Sequence, residues 1–128
     1  MEWKYKIDLQ SEQVFEEIAK EYGSIVPEMV KDFVRKYNAA TPEKYNFLVG
    51  GTEKVFGAVL SFNKNDADNV FSALKIVSDK NILPFGIDPF GNYICVRLTD
   101  NMVYFWELEA DAAFATGKTF DEFIKSLY

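Results

Sequence analysis

Turn residues divide residues 82–108 into three short apolar segments, and this pattern constrains the fold more than any other feature of the chain. The turns are Asp88-Pro-Phe-Gly-Asn92 and Asp100-Asn101. The segments between them are rich in β-branched and aromatic residues, and short Asp, Asn and Gly loops are typical of hairpins. We predict three consecutive antiparallel strands. They cover residues 82–87, 93–99 and 102–108.

Apolar residues recur at helical spacing in four other segments. These predicted helices begin near Ser11, Pro27, Asn65 or Asp66, and Thr119, and the first two end at Gly23 and Asn38. Ser, Asp and Asn favour the N-cap, and proline suits the first turn. Thr119 and Glu122 have the spacing of a capping box, which favours a short closing helix.

Between the second and third helices, residues 46–49 and 54–62 are predicted strands, and Gly50-Gly51 between them indicates a hairpin. Helices at both ends with strands between them predict an α+β fold. We expect one domain over residues 1–128, in which an antiparallel sheet of about five or six strands is packed on one side by about four helices.

Composition limits the function classes. Twenty acidic side chains against 14 basic ones give a net charge of −6, with no basic stripe. This disfavours nucleic acid and anionic membrane surfaces and is compatible with a basic protein partner. Histidine is absent and there is one cysteine, which excludes histidine-dependent triads and zinc sites with histidine ligands. No apolar segment is long enough to span a membrane, and we expect a cytoplasmic protein.

Three segments, taken in order, resemble the SUKH superfamily, which includes SMI/KNR-type regulators and bacterial immunity proteins. They are IVPEMVKDFVRKYN at residues 25–38, the strand block LPFGID, GNYICV and VYFWE within residues 83–107, and FDEFI with Leu127 in the closing helix. The resemblance implies a SUKH-like fold and a binding protein rather than an enzyme. The chain departs from the superfamily pattern at two places. It has Ala39-Ala40 where the pattern has Gly-Gly, and Glu107 where the pattern usually has Asp.

Exposed acidic and aromatic positions are the candidate contacts for a partner. Glu107, Glu109 and Asp111 alternate along the chain, so they would share one face while the strand persists. Phe90 lies at a turn, where an aromatic side chain either anchors a partner or packs locally. The acidic residues could equally protect a sheet edge. The full candidate set is Asp66, Asp68, Asp88, Phe90, Glu107, Glu109 and Asp111.

No motif predicts a cofactor or a metal. Thr116-Gly117-Lys118-Thr119 resembles the end of a phosphate-binding loop, but Ala112 stands where that motif needs glycine. The segment beginning at Asn63 lacks the glycine and glutamate of a calcium loop. Cys95 lies between apolar residues and is predicted to be a buried, inert thiol. A catalytic pair formed by Glu107 and Glu109 remains an alternative that requires a buried acid.

We therefore predict an immunity protein that binds a cognate toxin stoichiometrically and without chemistry. A basic toxin fits the acidic charge, and the resemblance implies a nuclease in particular. The alternative is a regulatory or scaffolding module of the SMI/KNR type that binds another cellular protein. The sequence leaves both the partner and the oligomeric state open.

Overall fold

A computed structural model describes all residues, 1–128, and contains four helices and nine strands. The helices are α1 (Gln13–Tyr22), α2 (Glu28–Tyr37), α3 (Val70–Ile76) and α4 (Phe120–Ser126). The strands are β1 (Trp3–Lys4), β2 (Thr41–Pro42), β3 (Asn46–Val49), β4 (Thr52–Val55), β5 (Ala58–Val59), β6 (Ile82–Ile87), β7 (Tyr93–Arg97), β8 (Met102–Glu107) and β9 (Ala112–Thr119).

The main sheet has five antiparallel strands in the order β5-β6-β7-β8-β9. Its centre is the predicted meander, in which turn 88–92 joins β6 to β7 and residues 98–101, which include Asp100-Asn101, join β7 to β8. β3 and β4 form a separate hairpin closed by Gly50 and Gly51, both at positive φ. The predicted α+β fold is confirmed.

The single strand predicted over residues 54–62 is wrong. Part of it, β4, pairs with β3, whereas β5 pairs with β6 in the main sheet. Gly57 lies at the break, and its N–H donates to the carbonyl of Ile87 at 2.9 Å. A Cβ atom at Gly57 would lie 2.7 Å from that same oxygen, so only glycine allows the close approach.

Two of the predicted helix starts also need correction. Helix α1 begins at Gln13, and Ser11 accepts a hydrogen bond from the Gln13 N–H at 3.2 Å instead of capping a longer helix. Helix α3 is capped by Asn69, which accepts from the Ser72 N–H. The capping box at the start of α4 is confirmed. None of the helices has the length and apolar character needed to cross a membrane.

The two faces of the main sheet bury different clusters. Side chains such as Phe85, Ile94 and Phe105 belong to a cluster of 23 buried residues that includes residues of α1, α2 and α4. Their neighbours along the strands, such as Cys95 and Trp106, belong to a smaller cluster of seven. Because side chains alternate across a strand, these clusters occupy opposite faces. Helix α3 contributes to both clusters. The expectation that the helices pack on one side of the main sheet therefore holds for α1, α2 and α4 only.

Candidate binding surface

The turns 88–92 and 108–111 lie at the same end of the main sheet and form an open groove. Its lining residues, here called the turn surface, are Lys54, Phe90, Asn92, Glu107, Leu108 and Glu109. The structure therefore brings three of the candidate residues together: Phe90, Glu107 and Glu109. The other three lining residues were not predicted, and in the sequence they look like ordinary strand and turn residues.

Asp88 holds the first turn and is not an exposed contact. Its side chain is buried, with a relative exposure of 7%. One carboxylate oxygen accepts hydrogen bonds from the backbone N–H groups of Phe90 and Asn92, at 2.9 and 2.8 Å. The other oxygen accepts from the Asn92 side-chain amide at 2.9 Å. The expectation of an exposed Asp88 is wrong because the turn leaves N–H donors that need an acceptor.

Asn92 joins the first turn to the second. While its amide nitrogen donates to Asp88, its amide oxygen accepts from the Leu108 N–H at 2.9 Å. Gly91 is at a φ of 84°, and a Cβ atom there would lie 3.9 Å from Cδ2 of Leu108. The hydrogen bond from the Leu108 N–H to Asn92 therefore links the two turns directly, while the bond from Asn92 to Asp88 lies within the first turn.

This bonded base presents apolar side chains to solvent. Phe90 is 78% exposed and Leu108 is 51% exposed. Single exposed apolar residues are ordinary, but an exposed aromatic residue on a rigid turn is typical of a contact that anchors a partner. The exposure of Phe90 rules out the alternative in which its ring packs locally.

The acidic residues do not alternate on one strand face as expected. Strand β8 ends at Glu107, Glu109 lies in the following turn, and Asp111 has a φ of 46°. Glu107 and Glu109 nevertheless line the same groove, together with Lys54. Glu107, Glu109 and Asp111 form no salt bridge within the chain. Their carboxylates are free to pair with a basic partner.

Comparison with protein families gives one assignment. Residues 10–126 match the model of the SMI1/KNR4 family (SUKH-1). The chain belongs to this family. No curated protein matches the chain significantly. The matched range includes the whole turn surface of this SMI1/KNR4 domain as well as its main sheet.

Asp66 and Asp68 lie outside the turn surface of this SMI1/KNR4 domain. Asp66 accepts hydrogen bonds from the Ser61 hydroxyl at 2.7 Å and from the Asn63 side-chain amide at 2.9 Å. These bonds, the one from Ser61 first, hold the pKa of Asp66 below its ordinary value. Asp66 thus has a structural role in its loop, whereas Asp68 is exposed at a φ of 49°.

Asn38, quoted above as part of the superfamily resemblance, is buried beside this loop. Its amide oxygen accepts from the Phe62 N–H at 2.7 Å. Its amide nitrogen donates to the Ile7 carbonyl and to the Ser61 hydroxyl. Ala39 follows at a φ of 63°, so alanine occupies the left-handed conformation that glycine favours. The turn of this SMI1/KNR4 domain therefore forms without glycine.

The single thiol of the SMI1/KNR4 domain is enclosed. Cys95 is fully buried in the smaller cluster, and burial raises the pKa of its thiol well above the ordinary value. This confirms the predicted buried cysteine. No three cysteine or carboxylate side chains of the chain come together in a way that could hold a metal ion.

Proposed function

We propose that this SMI1/KNR4 protein is an immunity protein. It binds a toxin protein in the cytoplasm, one molecule to one, and blocks it without catalysing a reaction. The turn surface is the contact, and the toxin supplies a basic, partly apolar counterpart. The family assignment supports a binding role, and the geometry of the turn surface supports its location.

The observation that carries the proposal is the pairing of exposed apolar side chains with free carboxylates on a rigid base. Phe90 and Leu108 project from turns that Asp88 and Asn92 hold by hydrogen bonds. A surface that is already ordered loses little conformational entropy on binding. Protein interfaces have apolar anchors at their centre and polar residues at the rim, and the turn surface has both.

The charge of the chain favours a basic toxin, and nucleases are basic where they bind phosphates. Glu107 and Glu109 face the groove, and the whole chain carries −6. Complementary charge raises the association rate and penalises wrong partners. Binding at the cleft of a nuclease would place these carboxylates where nucleic-acid phosphates otherwise bind.

The first experiment tests the function itself. The protein is co-expressed with the toxic C-terminal domain encoded beside its gene, and growth and co-purification are measured. We expect growth to be rescued and a complex of one copy of each protein to be recovered. Failure of every neighbouring candidate to bind, or capture of an unrelated cellular protein on the turn surface instead, would contradict the immunity function.

The second experiment tests the surface. Glu107→Lys should slow association with the toxin about tenfold at low salt, because it reverses the charge that steers the encounter. Phe90→Ala should mainly speed dissociation, because it removes the apolar anchor. The matched control is Glu43→Lys, an exposed charge reversal outside the turn surface. Equal rates for all variants would locate the contact elsewhere.

A further inference from the structure

Lys54 differs from the other basic residues that form no salt bridge within the chain. The others are all exposed, whereas Lys54 is partly buried. Water solvates the ammonium group of an exposed lysine, but a partly buried ammonium group has lost some of that solvation. Lys54 is therefore the unpaired cation that gains most from a carboxylate supplied by a partner. The basic residues without a salt bridge are Lys4, Lys20, Lys36, Lys44, Lys54, Lys75 and Lys118.

The neighbouring strands hold the side chain of Lys54 at the turn surface. In the hairpin of β3 and β4, Lys54 lies opposite the buried Phe47. Its Nζ atom lies 5.1 Å from the centre of the Phe105 ring, which is buried in β8, the strand that ends at Glu107. An ammonium group over an aromatic ring is attracted to the face of that ring. The cation is thus positioned in the groove before any partner binds.

The turn surface presents free charges of both signs. Glu107 and Glu109 line the same groove as Lys54, but neither carboxylate forms a salt bridge with it. A partner that covers the groove removes water from all three groups. Burial of an ammonium group is unfavourable unless a carboxylate pairs with it. A uniformly basic partner would pair with the two glutamates and repel Lys54.

We propose that Lys54 forms a salt bridge with a carboxylate of the toxin, an inference that rests on the proposed function. The counterpart of the turn surface is then basic opposite Glu107 and Glu109 and acidic opposite Lys54. The cleft of a metal-dependent nuclease contains both kinds of group, because basic residues bind the phosphates and carboxylates hold the divalent cation. Lys54 thereby distinguishes the cognate toxin from proteins that are only basic, since like charges oppose binding.

The sign of the effect of Lys54→Gln tests the pairing. Isothermal titration calorimetry at a fixed salt concentration measures binding to the toxic C-terminal domain encoded beside the gene. We expect Lys54→Gln to raise the dissociation constant about thirtyfold, because the toxin carboxylate loses its partner. If Lys54 only repelled a basic partner, the same change would lower the dissociation constant. Lys54→Arg retains the charge and should largely retain binding.

The matched control is Lys75→Gln. It removes a charge that is equally unpaired but exposed on α3, outside the turn surface. We expect it to leave the dissociation constant unchanged. Circular dichroism shows whether each variant of Lys54 is folded.

A charge exchange identifies the partner of Lys54. Each Asp and Glu of the toxic domain is changed to Lys in turn, and binding of every such domain to Lys54→Glu is measured. We expect one position at which the reversal restores binding to Lys54→Glu but not to Glu107→Lys. Because the restoring change lies in the toxin, it cannot reflect a folding defect of Lys54→Glu.

Unchanged or tighter binding of Lys54→Gln would overturn the proposal. Failure of every reversal in the toxin to restore binding to Lys54→Glu would also overturn it. Either result, obtained while the native chain binds the toxin, leaves the immunity function intact. If the native chain binds no neighbouring toxin, the immunity function fails, and the pairing of Lys54 fails with it.

Discussion

The loop from Ser61 to Asn69 and the turns of the turn surface contain the same residue types but use them differently. In the loop, Ser61, Asn63 and Asp66 bond to one another and to Asn38. At the turn surface, Asp88 and Asn92 form the bonded base, and the remaining side chains stay free. The comparison teaches that an acidic residue is structural where it is the acceptor for nearby backbone or amide donors. Where no such donor lies near it, the carboxylate is available for binding.

The largest expected effect is the loss of Asn38 from the bonded loop. Asn38→Ala leaves the buried Phe62 N–H without its acceptor, which costs about 1–3 kcal/mol, and it also removes the donor to the carbonyl of the exposed Ile7. We expect the free energy of unfolding, measured in urea, to fall by about 3 kcal/mol. Asn65→Ala, an exposed change in the same loop, should alter it by less than about 0.5 kcal/mol. Equal effects would mean that burial does not separate the two positions.

Removing Asp88 should have the next largest effect. Asp88→Ala removes the acceptor of three hydrogen bonds in turn 88–92 and should lower the free energy of unfolding by about 2 kcal/mol. Hydrogen exchange at the Phe90 and Asn92 amides should become faster. Asp88→Asn is the milder control, because an amide oxygen can still accept the two backbone bonds. Unchanged exchange in Asp88→Ala would show that the turn does not depend on this carboxylate.

A smaller effect of opposite sign is expected at Ala39. Ala39→Gly relieves the left-handed conformation, which costs alanine about 1–2 kcal/mol, while glycine loses about 0.5–1 kcal/mol more chain entropy on folding. We expect a net gain in stability of about 0.5 kcal/mol in thermal unfolding. Ala40→Gly is the matched control, because Ala40 is fully buried without a positive φ, and it should lose about 1 kcal/mol. A loss of stability in Ala39→Gly would show that the positive φ of Ala39 does not destabilise the chain.

The smallest effect concerns pH. The pKa of Asp66 is lowered in the folded chain from an ordinary value of 3.8, so acid protonates the unfolded state first. Its stabilising contribution is present above that value and is lost as pH falls through the lower folded pKa. We expect the stability advantage of the native chain over Asp66→Asn to shrink below pH 4. Asp68→Asn removes the same charge without breaking a hydrogen bond, and a similar pH dependence in both variants would contradict this account.

The elements that could be predicted from the sequence are those with regularly spaced apolar residues, turn residues or a helix-capping residue. The meander, the hairpin at Gly50-Gly51 and the capping box at Thr119 all have local causes. Strand β9 was missed because AAFATGKT has no alternation of apolar and polar residues, and it forms as a strand because β8 offers a partner. The break at Gly57 was missed because its reason is a contact with distant Ile87.

The candidate site was predictable only in part, for a similar reason. Phe90 was identified from its place in a turn, and its exposure followed. The prediction that Glu107, Glu109 and Asp111 share one face required β8 to continue to Asp111. The strand ends at Glu107, and the sequence does not show where it ends. The burial of Asp88 and the link from Asn92 to Leu108 depend on how two separate turns meet. No sequence pattern within either turn indicates that the two turns contact each other.

The enclosed thiol of Cys95 has a practical consequence. The thiolate is the form that attacks thiol reagents, and burial both makes the Cys95 thiol inaccessible and raises its pKa. A cysteine introduced at an exposed position outside the turn surface, such as Glu43 or Lys75, would therefore react selectively with a maleimide fluorophore. The fluorescence anisotropy of that dye could then report toxin binding without mutation of the native cysteine.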